Sequence, residues 1–405
     1  MKIAKPGNIQ EVTESLVVQG QRIYLGQLGS GHPDRDNTLE LLLRYPPELR
    51  GKVLLWRCAA THWFACSRKA VESITIGLEW VEDFYGWQQV LTQYSESPVS
   101  ENFVVKEKTN CFLSPSPRDI PCFDSMPDND ADTAISPRLF DSIFMRIPAN
   151  AEQCVQEILE LMQHLHPEGR LLLCGLNSEG AKSLPGRLKK LGLKLMLRAQ
   201  AASSRLFELS ARPEQEVAEP VKQKIHWQVQ GQEQPLLHTI PGVFSRRKLD
   251  AGTELLLHSL PDLKYKKVLD LGCGAGFLAV YAALQGAVVT ASDHSALAIA
   301  LCEYNARACG VKMDTICSYM GVGLHESFDV ILTNPPFHQG KVTDMGVGRI
   351  WLKQCRGLLK PGGECLAVVN RFLNYQDFGE ELGLDMRMVS ETSAFRVWSF
   401  HLPKV

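Results

Sequence analysis

The 405-residue chain predicts an α/β protein of two tandem Rossmann-like domains, the N-terminal one a degenerate copy of the C-terminal one. Three observations carry that expectation. The run Phe328-Asp329-Val330-Ile331-Leu332-Thr333 has the length and apolar content of a buried strand, and Asn334-Pro335-Pro336-Phe337 halts it, because proline cannot continue a ladder. Upstream, Val268-Leu269-Asp270-Leu271 runs into a turn with glycine at 272, 274 and 276. Finally, three stretches recur in the same order in both halves. Lys52-Val53-Leu54-Leu55-Trp56 matches Lys267-Val268-Leu269-Asp270-Leu271, and Phe140-Asp141-Ser142-Ile143 matches Phe328-Asp329-Val330-Ile331. Leu165-His166-Pro167-Glu168-Gly169 matches Leu359-Lys360-Pro361-Gly362-Gly363. The alternative to duplication is that two doubly wound domains share such strands on physical grounds alone.

A net charge of −2 and 45% apolar residues describe an ordinary soluble protein, and bulk composition shows no preference for nucleic acid. An RNA partner would have to be held by local basic patches. Residues 1–7 lack the apolar core of a signal peptide and no apolar run reaches spanning length, so a cytoplasmic protein without membrane contact is expected. The twelve cysteines are scattered with no Cys-x-x-Cys pair, which predicts reduced, packed thiols and no metal site.

In chain order, residues 1–212 read as the first domain. Strands are expected at 52–56, 73–78, 140–146 and 170–174, and a helix over 151–164 with Ile158, Leu159 and Met162 on one face. Residues 95–138 are rich in Ser, Pro and Asp and suggest a long surface excursion. At the positions of Asp270, Gly272, Gly274 and Gly276 this half carries Leu55, Arg57, Ala59 and Thr61. Side chains there keep a ligand from the backbone. The first domain is therefore expected to be catalytically silent and to serve RNA binding or support. Residues 213–222 form a polar, proline-punctuated linker.

The second domain, 223–405, opens toward Pro241-Gly242-Val243-Phe244-Ser245-Arg246-Arg247-Lys248. Phe244, Arg246 and Arg247 are candidate substrate contacts, a solvated basic run being the alternative. Leu256, Leu257 and Leu260 suit one face of a following helix. The glycine turn leads into a helix at 278–285. It departs from the dinucleotide pattern, whose third glycine would fall at Phe277, so a cofactor without a pyrophosphate is preferred. The next strand, 287–292, delivers Asp293 at the distance where a carboxylate meets a ribose diol.

Asn334, Pro335 and Phe337 are the candidate catalytic residues. A planar amide or amino-purine nitrogen is a poor nucleophile, and an Asn334 side-chain oxygen with a Pro335 main-chain oxygen can accept its N–H groups and hold it in place. Phe337 would stack on the flat substrate, a contact worth about 1–3 kcal/mol. His338 is assigned to shaping the pocket or meeting a phosphate, since this chemistry needs no base. The alternative for the tetrad is a strand-terminating turn.

These motifs resemble those of S-adenosylmethionine-dependent methyltransferases, and most closely the ribosomal RNA guanine-N2 methyltransferases acting on small-subunit 16S rRNA. The resemblance rests on 241–246, Leu249-Asp250, Asn334 to His338 and Val368-Val369-Asn370, and covers about half the chain. It implies a duplicated N-terminal domain without cofactor, S-adenosylmethionine held by Asp270, Gly272, Gly274, Gly276 and Asp293, and a target base at Asn334 to Phe337. Ribosomal RNA or the small subunit is the implied partner of a monomer. The family tends to offer Asn or Asp toward the adenine after 315–317; this chain has Ser318-Tyr319. The rival readings are a large-subunit guanine-N2 enzyme, a protein glutamine methyltransferase, and a non-catalytic RNA-binding assembly factor.

Overall fold

A computed structural model describes residues 2–3, 14–18, 21–25, 37–58, 67–78, 109–113, 139–201, 203–209, 223–245, 248–335, 345–372 and 375–402. The chain divides into two compact units, Gln10–Pro220 and Val221–Val405, the second joined by Met1–Ile9. That N-terminal addition follows from β1 (Lys2–Ile3), which pairs in parallel with Ile316 and Cys317 at the edge of the C-terminal sheet. The strands β2 (Glu14–Val18) and β3 (Gln21–Leu25) form an antiparallel pair.

The N-terminal sheet contains β4 (Glu48–Trp56), β5 (Ser67–Leu78), β6 (Thr109–Leu113), β7 (Phe140–Arg146), β8 (Leu165–Leu176), β9 (Met196–Gln200) and β10 (Ser204–Leu209). Its order is β6-β5-β4-β7-β8-β10-β9, parallel except where β10 meets its neighbours. The strand β6 lies inside the expected excursion at 95–138. An edge strand is paired on one side only, so polar surroundings hide it from a hydrophobic-pattern reading. Residues 114–138 lie outside the described part. The strand β8 begins five residues before the expected 170, with Pro167 to Gly169 inside it as a register irregularity against β7. The helix Ala151–Gln163, capped by Asn150, buries Cys154, Ile158, Leu161 and Met162. Leu161 joins that face at a spacing of three residues, and the expected Leu159 packs against the same cluster half-buried.

In the C-terminal unit β11 (Gln223–Ile225) pairs with β14 (Leu237–Thr239) and β12 (Gln228–Val229) with β13 (Gln232–Glu233). The main sheet adds β15 (Lys267–Leu271), β16 (Val288–Asp293), β17 (Asp314–Cys317), β18 (Phe328–Thr333), β19 (Leu359–Asn370), β20 (Asp385–Glu391) and β21 (Phe395–His401). Its order is β1-β17-β16-β15-β18-β19-β21-β20. Apart from β1, the seven strands follow the same order as the N-terminal seven. Leu269, Leu271 and Ile331 bury one face of this sheet with Trp351, Leu352 and Cys355 of the helix Met345–Leu358. The helix after residue 250 spans Ala251–His258; Leu256 and Leu257 are buried, while Leu260 falls beyond its end. The strand order reverses between β15 and β18, which places a ligand crevice at their carboxyl ends. Among the described residues nine cysteines are free, and no helix is long and apolar enough to cross a membrane.

Candidate active site

At the end of β15 the chain turns through Gly272, Gly274 and Gly276, all with positive φ. The amides of Gly272 and Cys273 donate to Ser292 O at 2.8 and 2.9 Å, so the turn is fastened to β16. The three glycines are not equivalent. A Cβ on Gly276 would sit 2.7 Å from Cys302 Sγ, so this glycine serves packing. A Cβ on Gly272 would meet nothing within 4 Å, so the space before it is open to a ligand. Asp293, at the end of β16, accepts from Gly274 N and Ser295 N, each at 2.9 Å. It therefore braces the turn, and both carboxylate oxygens still retain lone pairs for further donors.

Asp270 is buried inside this turn. Its Oδ2 accepts from Ala279 N at 2.9 Å, while Oδ1 has no hydrogen-bond partner. Burial pushes its carboxyl up to about 7; the Ala279 N–H opposes that shift and Asp293 adds to it. Behind the turn, buried Asn305 donates to Ala275 O at 2.8 Å and His238 O at 2.9 Å, and accepts from His238 N at 2.9 Å. Val243 closes the turn from the other side, 4.0 Å from where a Cβ on Gly274 would lie.

Asn334 follows β18 directly. Its Nδ2 donates to Asp250 Oδ2 at 3.0 Å and Thr253 Oγ1 at 2.9 Å. The same Asp250 oxygen accepts from Gly252 N at 2.9 Å and Thr253 N at 3.0 Å, capping the helix Ala251–His258. A carboxylate can only accept, so the atom of the Asn334 amide facing it must be the nitrogen. Oδ1, turned away from Asp250, is left as the acceptor. Pro335 is buried beside it. Phe244 is 61% exposed and follows Val243 at the turn, and Lys248 is exposed. Phe337, His338, Arg246 and Arg247 lie outside the described residues.

The residues after β17 meet the site differently from what the resemblance implied. Ser318 donates its main-chain N–H to Asp293 O at 2.8 Å and its hydroxyl to Val322 O at 2.7 Å. The hydroxyl is thereby committed to its own loop. Half-buried Tyr319 lies 6.4 Å, centroid to centroid, from the His294 ring. Thr253 and Asn305 had no role in the sequence reading, and Asp250 entered it only as part of the Leu249-Asp250 motif, with no function assigned. The spacing of Asp250 before an apolar helix is a visible capping signal, but its bond to Asn334 spans 84 residues. Asn305, in the last turn of the helix Ala296–Ala308, carries no local signal.

An open sheet of this order, with a glycine turn after its central strand and an acidic residue ending the next, defines the class: an S-adenosylmethionine-dependent methyltransferase. Residues 235–399 match the model of the methyltransferase small domain. The chain is 32% identical over 266 residues to the ribosomal RNA small subunit methyltransferase C of Shewanella pealeana, a match covering 64% of this chain and 77% of that protein. The protein of the same name from Hahella chejuensis is 40% identical over 164 residues, 40% of this chain and 48% of its own length. Among solved structures, the T. thermophilus 16S rRNA N2 G1207 methyltransferase in complex with AdoMet and guanosine superposes with a TM-score of 0.74 at 21% identity, over 96% of this chain and 97% of that one. This chain belongs to the ribosomal RNA small subunit methyltransferase C family.

Proposed function

We propose that the C-terminal unit, 223–405, methylates the exocyclic N2 of a guanine in 16S ribosomal RNA. The N-terminal unit, expected at 1–212 and compact over Gln10–Pro220, is read as a copy of the same fold that takes no cofactor and serves RNA binding or support. The observation carrying the activity is the orientation of Asn334: Asp250 and Thr253 consume its donor and leave its oxygen for an incoming amine. Guanine N2 carries two N–H donors, and Asn334 Oδ1 with the Pro335 carbonyl offers two acceptors at the end of β18. Phe337 stacks on the flipped base, and Phe244, Arg246, Arg247 and His338 hold the surrounding RNA.

The residues present fit S-adenosylmethionine. The unpartnered Asp270 Oδ1 suits its ammonium group, the open face of Gly272 admits its methionine part, and Asp293 keeps lone pairs for its ribose. Bound there, S-adenosylmethionine supplies an electrophilic methyl group on a sulfonium sulfur. The protein's own work is orientation: Asn334 and Pro335 hold the amine, Phe337 fixes the ring plane, and the proton leaves to water once the nitrogen has become acidic. The small subunit is preferred over the large by the names its relatives carry. The intact glycine turn and oriented Asn334 argue against a non-catalytic assembly factor. One copy of the chain, in the cytoplasm where ribosomal subunits assemble, suffices for this reading.

The test is Asn334→Ala, assayed by labelled methyl transfer to small subunits from a strain lacking the modification. Transfer should fall by orders of magnitude while S-adenosylmethionine affinity and fold persist. Wild-type turnover in the variant would reduce the tetrad to a turn.

A further inference from the structure

The connection from β8 to β10 and its counterpart from β19 to β21 hold the same place in two sheets of one strand order. Each contains a short helix, Leu184–Lys189 or Gln376–Glu381, followed by the edge strand. Their charges are opposite. Residues 371–394 carry Asp377, Glu380, Glu381, Asp385 and Glu391 against Arg371 and Arg387. Residues 177–203 carry Lys182, Arg187, Lys189, Lys190, Lys194 and Arg198 against Glu179 alone. The fold requires neither pattern, since one backbone arrangement accommodates both. Overall composition does not require the basic one, the chain's net charge being −2.

All six cations are exposed. Glu179 is held by Arg146 at 3.2 Å and Arg198 by Glu208 at 2.7 Å, so neither carboxylate neutralises the remaining five. Those five have no carboxylate partner among the described residues. Crowding like charges on one small surface costs self-repulsion, which a polyanion would relieve. Leu191, Met196 and Leu197 are 48%, 38% and 47% exposed among them, apolar surface suited to sugar and base faces. Arg198 also borders a concavity of about 510 Å³ that includes Arg44, Arg170 and the exposed ring of Tyr45, with Glu48 and Glu208 on its wall.

We infer that the helix Leu184–Lys189 and the edge strand β9 bind the phosphate backbone of the substrate ribosomal RNA, away from the target base. This rests on the proposed reading of the protein as an rRNA methyltransferase. Backbone contacts position a substrate without reading its sequence, and each lost cation makes the salt dependence shallower.

The experiment uses the full-length charge-reversal variant K189E/K190E/K194E with unmodified 16S rRNA and with assembled small subunits. The expected result is an RNA KM raised at least about tenfold at physiological salt, and a log–log salt slope of affinity shallower by about 2. Turnover at saturating RNA, S-adenosylmethionine affinity and thermal midpoint should hold. The neutral variant K189Q/K190Q/K194Q should show a smaller defect of the same kind, which separates lost attraction from new repulsion. Unchanged KM and salt slope in both variants overturn the inference. A defect on assembled subunits with binding to naked rRNA intact also overturns it, because the partner is then an acidic protein surface. If the wild type transfers no methyl to rRNA, the activity reading fails, while the salt slopes of wild type and variants still decide the surface.

Discussion

The two sheets agree in the residues that set their register and part in those at the carboxyl ends of their strands. In each, an aspartate near the start of a central strand accepts the main-chain N–H of a lysine in the neighbouring one: Asp141 Oδ2 from Lys52 and Asp329 Oδ2 from Lys267, both at 2.8 Å. In each, a glycine lies so close beneath that strand that a Cβ would come within 2.9 Å of Phe140 O, at Gly169, or 3.0 Å of Phe328 O, at Gly363. The repeated Phe-Asp and Pro-x-Gly stretches are therefore construction, not chemistry.

At the strand ends the likeness stops. The left-handed turn of Gly272, φ 83°, is kept at Arg57, φ 58°, where a side chain is disfavoured. The Arg57 guanidinium is buried against Glu157, with Nε–Oε2 at 2.8 Å and Nη2–Oε1 at 3.1 Å; Trp56 Nε1 and Gln153 Nε2 donate to the same carboxylate at 3.0 Å each. An ion pair thus stands at the end of β4, where the C-terminal unit leaves open space before Gly272. Where the C-terminal unit has Asn334, the N-terminal one has Arg146, bound to Glu179. The two units thus share their register-setting residues and differ at the carboxyl ends of their strands, because the two sets of residues occupy different ends of the same strands.

The comparison can be broken most sharply by Gly272→Arg, which imports the N-terminal residue into the C-terminal turn. S-adenosylmethionine binding should be lost, by more than about a thousandfold in calorimetry, since the side chain enters the space a ligand uses. Retained affinity would show that the open face of Gly272 is not the cofactor's.

The reverse change, Arg57→Ala, should leave Glu157 buried and uncompensated and destabilise the protein by about 3–5 kcal/mol. It should not create a second cofactor site, because Leu55 still stands where Asp270 would be needed. Denaturant unfolding and binding stoichiometry read the two halves of that statement; two equivalents of cofactor bound would refute the idea of a silent copy.

Asp250→Ala sharpens the contrast at Asn334. Turnover should drop on the order of tenfold to a hundredfold as the amide loses its anchor, with S-adenosylmethionine affinity intact, and Asp250→Asn should recover most of the activity through its own acceptor. Equal loss in both variants would assign Asp250 a charge role instead.

The smallest effect expected is on pH dependence. The fold raises the Asp270 carboxyl from 3.8 to about 7, chiefly by burial, so the folded state holds that proton more tightly than the unfolded state. Its contribution to stability is full below about pH 4 and is lost as pH rises through about 7. Asp270→Asn, unable to titrate, should flatten the fall in Tm across that window by a few degrees. An identical pH profile in the variant would place the shift elsewhere.

The sequence by itself determined the two-sheet plan and the glycine turn after β15, for a local reason. Strand runs, proline stops and glycines with positive φ are properties of consecutive residues; Gly272, Gly274, Gly276, Asp293 and Asn334 each end or follow a strand, and Asp270 lies one residue before the end of β15. It did not reveal β6, whose single-sided pairing imposes little hydrophobic pattern, nor the passage of Lys2–Ile3 to the C-terminal sheet, which pairs residues more than 300 positions apart. Only tertiary structure decided which way the Asn334 amide faces, since its partners lie 84 and 81 residues upstream on a helix cap. Likewise the basic run at 182–198 is visible as letters, but its exposure on one edge of the N-terminal sheet, where the equivalent connection of the C-terminal sheet is acidic, required the fold. Hydrogen bonds and ion pairs between distant segments leave no periodicity in a chain, and they are what turned a turn into a site.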